Sequence, residues 1–396
     1  MKLSKKAESL AASLTLEITA KANEMKKKGI DVVSFGAGEP DFNTPDYIKE
    51  AAIKAINDNH TRYTATSGII ELKKAIVKKF KEDNGLEYSE NQILISTGAK
   101  QSLANVFSAI LNEGDEVLIN IPYWVTYPEL VKLNGGVPVF IETKKENSFK
   151  FTLKELEENC TERTKAILIN SPNNPPGSVY TEEELKVIAE FAREKDLIII
   201  SDEIYEKLIY DGKKHISIAS LSEDAFNRTI VINGVSKTYA MTGWRIGYSA
   251  APIEINKLMT NIQSHTTSNA NAIAQYAALA ALEGNDDEIK AMVEEFARRK
   301  NYMIESINNI DLLETLHPNG AFYVMVDVSK LFGKKCDGKV IEGSIDFAKA
   351  ILEKEKVAVI PGIAFGNDNY IRLSYATSME NIEEGIRRIE KFIKSL

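Results

Sequence analysis

Lys237 and Arg245 are the two residues whose types and spacing most directly suggest chemistry. No charged residue lies within seven positions of Lys237, although 27% of the chain is charged, and Arg245 follows just outside that window. A lysine amine attacks an aldehyde more readily when burial or a nearby cation lowers its pKa, and an arginine guanidinium binds a phosphate dianion through two hydrogen bonds. The pair therefore suits a buried lysine that reacts with an aldehyde next to a phosphate anchor.

Asp202 and Asn174 are polar residues that follow apolar runs. Asp202 comes directly after the run at 198–201, and Asn174 lies in the proline-rich loop 171–177 that follows another run. Considered alone, Asp202 is better explained as the cap of a helix, and the loop as a simple turn. Their chemistry depends on whether the fold brings them to Lys237.

The segment 96–101 is typical of a strand end that turns into a helix, with Gly98, Ala99 and Lys100 at its centre. Small residues at such a place leave backbone N–H groups free to point at an anion, at the positive end of the helix dipole. A glycine-containing turn alone is weak evidence. Together with Arg245 it predicts a phosphate site.

Apolar runs alternate with amphipathic stretches through the first three quarters of the chain. The runs are short and rich in isoleucine, leucine and valine, as at 93–95, 116–119, 166–169, 197–200 and 229–232. Such strands alternating with helices are typical of an α/β fold whose mostly parallel sheet is covered on both faces. Because ligands collect at the carboxyl ends of such strands, we expect Lys237, Asp202 and Asn174 to meet in one crevice.

The pattern changes from about residue 285 onward. A long charged helix is expected at 286–308, followed by strands near 321–324 and 357–360 and a closing helix from Met379. This mixture predicts a second, smaller α+β domain. The length of 396 residues is compatible with two or three domains.

Composition limits the classes of function. The formal net charge is −8, and the four histidines and two cysteines are dispersed. This disfavours general nucleic-acid binding, a disulfide framework and a metal site. No apolar run approaches the roughly 20 residues of a membrane span, and the N-terminus lacks the pattern of a secretory signal. We therefore expect a cytoplasmic protein that binds no nucleic acid, membrane or metal.

Several motifs together resemble those of the class I pyridoxal-phosphate-dependent aminotransferases. The segment around Lys237 has the family's small-x-small-Lys pattern ending in Arg-x-Gly. The likeness also covers Gly36-Ala37-Gly38-Glu39-Pro40-Asp41-Phe42, Ser171-Pro172-Asn173-Asn174-Pro175-Pro176-Gly177 and Tyr370-Ile371-Arg372-Leu373-Ser374. Within that family the chain is most similar to the prokaryotic branch of aspartate aminotransferases.

This resemblance implies pyridoxal 5'-phosphate as the cofactor and the type I pyridoxal-phosphate transferase fold. The expected large domain binds the cofactor and spans 45–285, and the small domain comprises 1–44 and 286–396. The catalytic residues would be Lys237, Asp202 and Tyr205: an amine that moves the substrate's Cα proton, a carboxylate on the ring nitrogen, and a hydroxyl on the ring oxygen. The full set of cofactor contacts implied is Tyr63, Gly98, Ala99, Lys100, Trp124, Asn174, Asp202, Tyr205, Ser236, Lys237 and Arg245.

The resemblance also implies a site for a dicarboxylic substrate. Arg372 would clamp the α-carboxylate with help from the Gly38 backbone, and Lys100 would bind the distal carboxylate. The implied substrate contacts are Ser13, Thr15, Gly38, Lys100, Trp124, Asn174 and Arg372. Relatives that accept prephenate carry a lysine where this chain has Ala11, so prephenate ranks below aspartate.

Two positions depart from the family pattern, and a third, which matches it, implies a partner subunit. Pro176 replaces the usual threonine, which puts the hydrogen bonding of its loop in question, and Gly234 replaces a hydroxyl that often contacts the phosphate. Tyr63 matches the residue that reaches the cofactor of the neighbouring subunit, which implies a homodimer with shared active sites.

Transamination of L-aspartate with 2-oxoglutarate is the function that these expectations favour. The alternatives left open are an aromatic or broad-specificity aminotransferase of the same class and a β-lyase, which would share every cofactor residue. A ligand-sensing module of a transcription regulator is disfavoured, because no basic helix-turn-helix precedes Ser34.

Overall fold

A seven-stranded sheet forms the centre of the computed structural model, which describes residues 2–11 and 14–396. The strands of the whole described chain, in this sheet and in smaller ones, are β1 Val33–Ser34, β2 Ile93–Ser96, β3 Glu116–Ile121, β4 Val137–Glu142, β5 Thr164–Asn170, β6 Ile198–Asp202, β7 Thr229–Gly234, β8 Gly247–Ala250, β9 Glu314–Thr315, β10 Tyr323–Asp327, β11 Lys335–Cys336, β12 Lys339–Val340, β13 Val357–Ala358, β14 Ile360–Pro361 and β15 Tyr370–Ser374.

Helices cover this sheet and a second, smaller sheet that is described below. They are α1 Lys5–Glu8, α2 Leu14–Lys27, α3 Asp46–Asn57, α4 Ile70–Asn84, α5 Ala99–Ile110, α6 Thr126–Leu133, α7 Leu153–Asn159, α8 Glu182–Glu194, α9 Glu223–Arg228, α10 Ile253–Thr266, α11 Ala272–Glu283, α12 Asp287–Asn308, α13 Ser344–Glu355 and α14 Met379–Lys394. In the described ranges, none of them is both long enough and apolar enough to cross a membrane.

The strand order in the large sheet is β2-β8-β7-β6-β5-β3-β4. All neighbouring pairs from β7 to β4 run parallel, whereas β8 is antiparallel to both β2 and β7. The central strands are buried along nearly their whole length, because helices pack on both faces of the sheet. The prediction of a mostly parallel sheet in an α/β fold is confirmed.

Local sequence explains how α8 forms and packs. Thr181 and Glu184 make a capping box: the Glu184 carboxylate accepts from the Thr181 N–H at 2.8 Å, and the Thr181 hydroxyl accepts from the Glu184 N–H at 3.3 Å. One face of the helix then buries Leu185 and Ile188 against Ile167 of β5. This packing fixes the strand whose carboxyl end leads to Asn174.

A second, antiparallel sheet has the order β14-β15-β10-β9. It shares a core with α12 and α14, in which Phe296 and Phe392 are fully buried. The N-terminal strand β1 pairs in parallel with β13, Val33 opposite Val357, so the start of the chain packs against its last quarter. The domain boundaries at 44/45 and 285/286 stay a prediction.

Candidate active site

A cavity of about 660 Å³ opens at the carboxyl ends of β5, β6 and β7. Asn174 follows β5, Asp202 ends β6 and Lys237 follows β7, and all three line the cavity. Parallel strands end at the same edge of a sheet, which explains why residues distant in sequence meet here. The volume is in the range of ordinary cofactor and substrate pockets.

Lys237 presents its amine to the middle of the cavity. Its Nζ donates a hydrogen bond of 2.5 Å to the carbonyl of Gly38 and lies 5.9 Å from the ring centre of Tyr205. Burial lowers the pKa of Lys237 to about 8; Glu39 opposes this, and the cations of Arg372 and Arg245 add to it. A substantial fraction of the amine is therefore neutral, and nucleophilic, in mildly alkaline solution.

Asp202 is buried at the end of β6 and is held by two donors. The Tyr127 hydroxyl donates to Oδ2 at 2.7 Å, and the N–H of Ile204 donates to Oδ1 at 3.2 Å. Burial raises the pKa of Asp202 to about 6, and these hydrogen bonds limit the rise. A protonated ring nitrogen would be a suitable counter-charge for this carboxylate.

Arg245 and the start of α5 form one end of the cavity. Gly98 precedes the first turn of α5; the N–H of Gln101 donates to its carbonyl at 3.0 Å, whereas the N–H groups of Ala99 and Lys100 have no acceptor within the helix. A Cβ on Gly98 would lie 2.3 Å from Nη2 of Arg245, and a Cβ on Gly247 would lie 2.2 Å from the backbone nitrogen of Ala99. The glycines thus allow the guanidinium and the helix terminus to converge, as an anion site requires.

Arg372 is a buried cation that lines the same cavity. Its side chain is 4% exposed, Nη1 donates to Oδ1 of Asn174 at 3.0 Å, and Nη2 donates to the Gly36 carbonyl at 3.4 Å. The Nε is buried without a hydrogen-bond partner, and no carboxylate in the described ranges pairs with this guanidinium. Burial lowers the pKa of Arg372. A buried cation without a counter-ion suits a carboxylate ligand.

Lys100 is a further basic residue that lines the same cavity. Its Nζ lies 5.2 Å from the ring centre of Trp124, which also lines the cavity. Burial lowers the pKa of Lys100, and the nearby Arg245 adds to the effect. No acidic side chain of the described residues is within ion-pair distance of this amine. Lys100 is therefore able to receive an anionic group.

Other expected site residues fall into three groups. Gly38, Ala99, Ser236 and Thr15 line the cavity, whereas Ser13 is outside the described residues. The Tyr205 hydroxyl also faces the cavity and lies 3.3 Å from that of Tyr323. Among the described residues, Tyr63 is not part of the cavity lining and is 89% exposed.

The loop with Pro176 keeps its hydrogen bonding. Gly177 donates to the Asn173 carbonyl at 2.8 Å, and the Asn173 N–H donates to the Ser178 carbonyl at 2.9 Å. Asn174 is further fixed by its N–H, which donates to Oδ1 of Asn170 at 2.9 Å. None of these bonds needs an N–H at position 176, so proline is accommodated.

The residues present fit a phosphate-bearing aldehyde with a basic ring. The cavity combines an amine of lowered pKa, an anion cradle next to Arg245, a buried carboxylate and the aromatic wall of Trp124. These groups match the aldehyde, phosphate, ring nitrogen and ring face of such a molecule.

Comparison with known proteins assigns the family. The model of the family described as Aminotransferase class I and II matches residues 30–389. The chain belongs to this family. The resemblance identified from the motifs is thereby confirmed.

This aminotransferase is similar over its whole length to curated bacterial enzymes. It is 50% identical over 394 residues to the aspartate aminotransferase of Bacillus subtilis (strain 168), covering 100% of this chain and 99% of the relative. It is 48% identical over 389 residues to a protein of Aquifex aeolicus (strain VF5) named probable aspartate/prephenate aminotransferase, covering 98% and 97% of the two chains.

Solved structures give the same result for the fold. The aspartate aminotransferase of Rhizobium meliloti superposes with a TM-score of 0.96 at 41% identity, covering 100% of this chain and 99% of the other. That of Thermus thermophilus, solved with maleate, gives 0.93 at 39% identity, covering 99% and 100%. The aminotransferase therefore has the type I fold, as predicted.

Tyr127 and Glu39 are two cavity residues of the aminotransferase to which the sequence analysis assigned no role. Tyr127 bonds directly to Asp202, and the Glu39 carboxylate accepts a hydrogen bond from the Thr242 hydroxyl. Glu39 lies within the motif at 36–42, which was therefore the signal available for it. Tyr127 lies in the first turn of α6, and no local pattern relates it to Asp202.

Proposed function

We propose that this aminotransferase uses pyridoxal 5'-phosphate to transfer the amino group of L-aspartate to 2-oxoglutarate, forming oxaloacetate and L-glutamate. The observation that carries the choice of substrate is a pair of cations, Arg372 and Lys100, which line one cavity without acidic partners among the described residues. An amino acid with two carboxylates has one for each cation.

The relatives support the same choice. The Bacillus subtilis relative is named aspartate aminotransferase, and the Thermus thermophilus structure contains maleate. Maleate, like aspartate, has four carbons and a carboxylate at each end. A related site that accepts such a molecule favours a dicarboxylic substrate here.

Six residues would hold the cofactor. The phosphate would bind Arg245, Ser236 and the N-terminus of α5 at Ala99, because these donors surround one end of the cavity. Asp202 would pair with the ring nitrogen, Tyr205 would donate to the ring oxygen, and Trp124 would cover the ring face.

Lys237 and Asp202 divide the proton chemistry. Pyridoxal phosphate, when bound, supplies an aldehyde that reacts with amines and a ring that takes up the electrons released when the Cα proton leaves. Lys237, whose pKa is about 8, would take this proton from the substrate's Cα and deliver it to the carbon on the other side of the substrate nitrogen. Asp202 would hold a proton on the ring nitrogen, which would keep the ring electron-withdrawing.

Arg372 and Asn174 orient the amino acid for this step. The guanidinium binds the α-carboxylate through two hydrogen bonds, and its existing bond to Asn174 fixes the plane in which it does so. Lys100 then selects a distal carboxylate at the other side of the cavity. Orientation by two fixed points also excludes water from the space between them.

The active unit in this proposal is a homodimer. Tyr63 is largely exposed and lies away from the cavity of its own subunit, as expected of a residue that serves a neighbouring site. We further propose that a small domain of 1–44 and 286–396 closes over a large domain of 45–285. The mass of the protein in solution tests whether it is a dimer. Weaker retention of the cofactor in Tyr63→Phe tests whether Tyr63 contributes to the site of the neighbouring subunit.

Prephenate is the second candidate substrate, because the Aquifex aeolicus relative is named for both substrates. It ranks below aspartate. At the position where a lysine would favour prephenate the chain has Ala11, whose N–H donates to the Glu129 carboxylate at 3.0 Å. That carboxylate is paired with Lys132, and the alanine side chain offers no cation to a second carboxylate.

The visible absorption of the purified protein with bound cofactor provides the test. Aspartate or glutamate should discharge the cofactor band, and 2-oxoglutarate should restore it. Lys100→Met should raise KM for aspartate about tenfold or more, because a charge-assisted hydrogen bond contributes about 1.5–3 kcal/mol, and should leave phenylalanine unaffected. Lys349→Met, which removes an exposed lysine of α13, is the matched control.

Three outcomes would contradict the proposal. Discharge of the band by neutral or aromatic amino acids alone would refute the assignment of Lys100. Formation of pyruvate and ammonia without restoration of the band would indicate a β-lyase. A protein that binds no pyridoxal phosphate would refute the cofactor itself.

A further inference from the structure

A buried charge cluster lies behind the turn that carries two of the site residues. It consists of Lys79, Glu203, Glu206 and His215, whose side chains are between 0% and 8% exposed. Charged groups this deeply buried are costly unless paired. The chemistry described above uses none of them, so their retention requires an explanation.

The cluster and the site share one short segment. In residues 202–206, Asp202 and Tyr205 line the cavity, whereas Glu203 and Glu206 belong to the cluster on the other side. The backbone that sets the position of the two site residues is therefore the same backbone that the two glutamates anchor.

Both oxygens of the Glu203 carboxylate have hydrogen-bond partners. The hydroxyls of Ser201 and Ser217 donate to Oε1 at 2.8 and 2.7 Å, and Nε2 of His215 lies 2.8 Å from Oε2. The N–H of Glu203 donates to the Ile232 carbonyl of β7 at 2.8 Å. The residue next to Asp202 is thus tied to a neighbouring strand and to the loop at 215–217.

Glu206 is tied to α4 instead. It forms an ion pair with Lys79, and Nδ2 of Asn84 donates to its Oε2 at 3.0 Å. Although burial raises the pKa of Glu206, Lys79 and His215 more than offset this and lower it to about 2. Two carboxylates and one histidine also resemble a metal site, but Glu206 is already paired with the Lys79 ammonium, and both oxygens of Glu203 have hydrogen-bond partners.

His215 is the positive partner of Glu203. Burial alone would lower the pKa of His215, but Glu203 and Glu206 outweigh burial and raise it above the usual value, while Lys79 opposes them. Other charged or titratable groups around the cluster are Asp83, Tyr88, Asp202, Lys207, Tyr239 and Tyr248. Glu203 and Glu206 therefore favour the positively charged form of His215.

We propose that Glu203 and His215 are positioning residues of the aminotransferase: their buried pair holds the Asp202–Tyr205 turn in place, and the charge of His215 offsets the negative charge that Glu203 places near the cofactor's ring. They touch neither substrate nor cofactor. The proposal rests on the function proposed above, since it concerns the same site.

Charge balance predicts a signature that packing alone would not produce. Removing the negative charge with Glu203→Gln makes the site more positive, so the pH at which the absorbance of bound cofactor changes should fall. Removing the positive charge with His215→Gln leaves Glu203 uncompensated, so that pH should rise. Each shift should be on the order of half a pH unit or more at the short range involved. The double variant, which is neutral, should return toward the wild-type value.

Glu116→Gln is the matched control. Glu116 is also buried, at 3% exposure, and accepts hydrogen bonds from Arg163 and Thr161, but it begins β3 at the edge of the sheet opposite the cavity. The control should lower the unfolding temperature without moving the cofactor absorbance. The kcat of Glu203→Gln should fall about tenfold relative to the control, the scale on which loss of an outer partner weakens a functional residue.

The experiment separates the two proposals. If the wild-type protein binds no cofactor, the proposed function fails. If it binds cofactor but both single variants shift the absorbance in the same direction, or no further than Glu116→Gln does, the positioning role is refuted. If Glu203→Gln does not fold, His215→Gln and the double variant provide the test. The proposal would be overturned if His215→Gln raises the pH at which the cofactor absorbance changes and the addition of Glu203→Gln does not lower it again.

Discussion

Replacement of Gly98 by alanine tests the phosphate cradle directly. Gly98 has a φ of +79°, and an added Cβ would lie 2.3 Å from Nη2 and 2.9 Å from Cζ of Arg245. The guanidinium is the end of a flexible side chain and can move away, so the fold should survive. Arg245 would, however, no longer reach the position where it converges with the N-terminus of α5.

Two separate magnitudes follow from this geometry. At φ +79° and ψ 160°, Gly98 has a backbone conformation that is essentially restricted to glycine, and a non-glycine residue there costs about 1–3 kcal/mol, which should appear as a loss of stability. Displacement of the arginine removes charge-assisted hydrogen bonds to the phosphate that contribute about 1.5–3 kcal/mol. Since every 1.4 kcal/mol is tenfold in affinity, the Kd for pyridoxal phosphate should rise about tenfold to about a hundredfold.

Gly114→Ala separates the two effects. Gly114 has a similar φ of +87°, but a Cβ there would meet nothing within 4 Å. Thermal unfolding of the cofactor-free proteins should show a loss of stability in both variants, whereas titration with pyridoxal phosphate should show weaker binding in Gly98→Ala alone. An unchanged Kd in Gly98→Ala, or an equal increase in Gly114→Ala, would refute the cradle.

Three further predictions concern single residues. Lys237→Ala should abolish turnover while allowing weak cofactor binding, as followed by absorbance; substantial residual activity would exclude its role as base. Arg372→Lys should raise KM about tenfold or more for dicarboxylic and monocarboxylic amino acids alike, because the bidentate bond is lost; an effect on one class only would contradict the α-carboxylate clamp. Glu206, whose pKa is lowered from 4.5 to about 2, adds stability above pH about 4.5 that is lost as the pH falls toward 2. Glu206→Gln should therefore flatten the acid side of the unfolding temperature against pH, and a slope like that of the wild type would show that the ion pair with Lys79 does not stabilise the fold.

The parallel part of the fold could be predicted because its strands are buried on both faces. Continuous apolar runs mark β5, β6 and β7, and the polar residues after them mark the site. Strand β8 was not predicted. Its sequence, Gly-Tyr-Ser-Ala, has no strand pattern, and it is a strand because β2 and β7 lie on either side of it.

The expected site residues were located through motifs, but their mutual contacts were not. Asn174 was expected to serve the cofactor, and the structure adds a hydrogen bond from Arg372 that depends on the docking of β15 near the loop after β5. The bond from Tyr127 to Asp202 likewise joins elements that no local pattern relates. Contacts of this kind follow from tertiary packing, which propensity and periodicity do not contain.

The pairing of β1 with β13 has a consequence for how the protein is made. The strands of the large sheet all lie between β2 and β8, so this sheet can form while the last third of the chain is still being synthesised. Strand β1 must wait for β13, which is synthesised after every strand of the large sheet. Gly36 and Gly38 follow β1 closely, and Arg372 lies after β13. On the ribosome, therefore, the half of the cleft that would receive the cofactor can assemble first, and the half that would receive the amino acid is completed last.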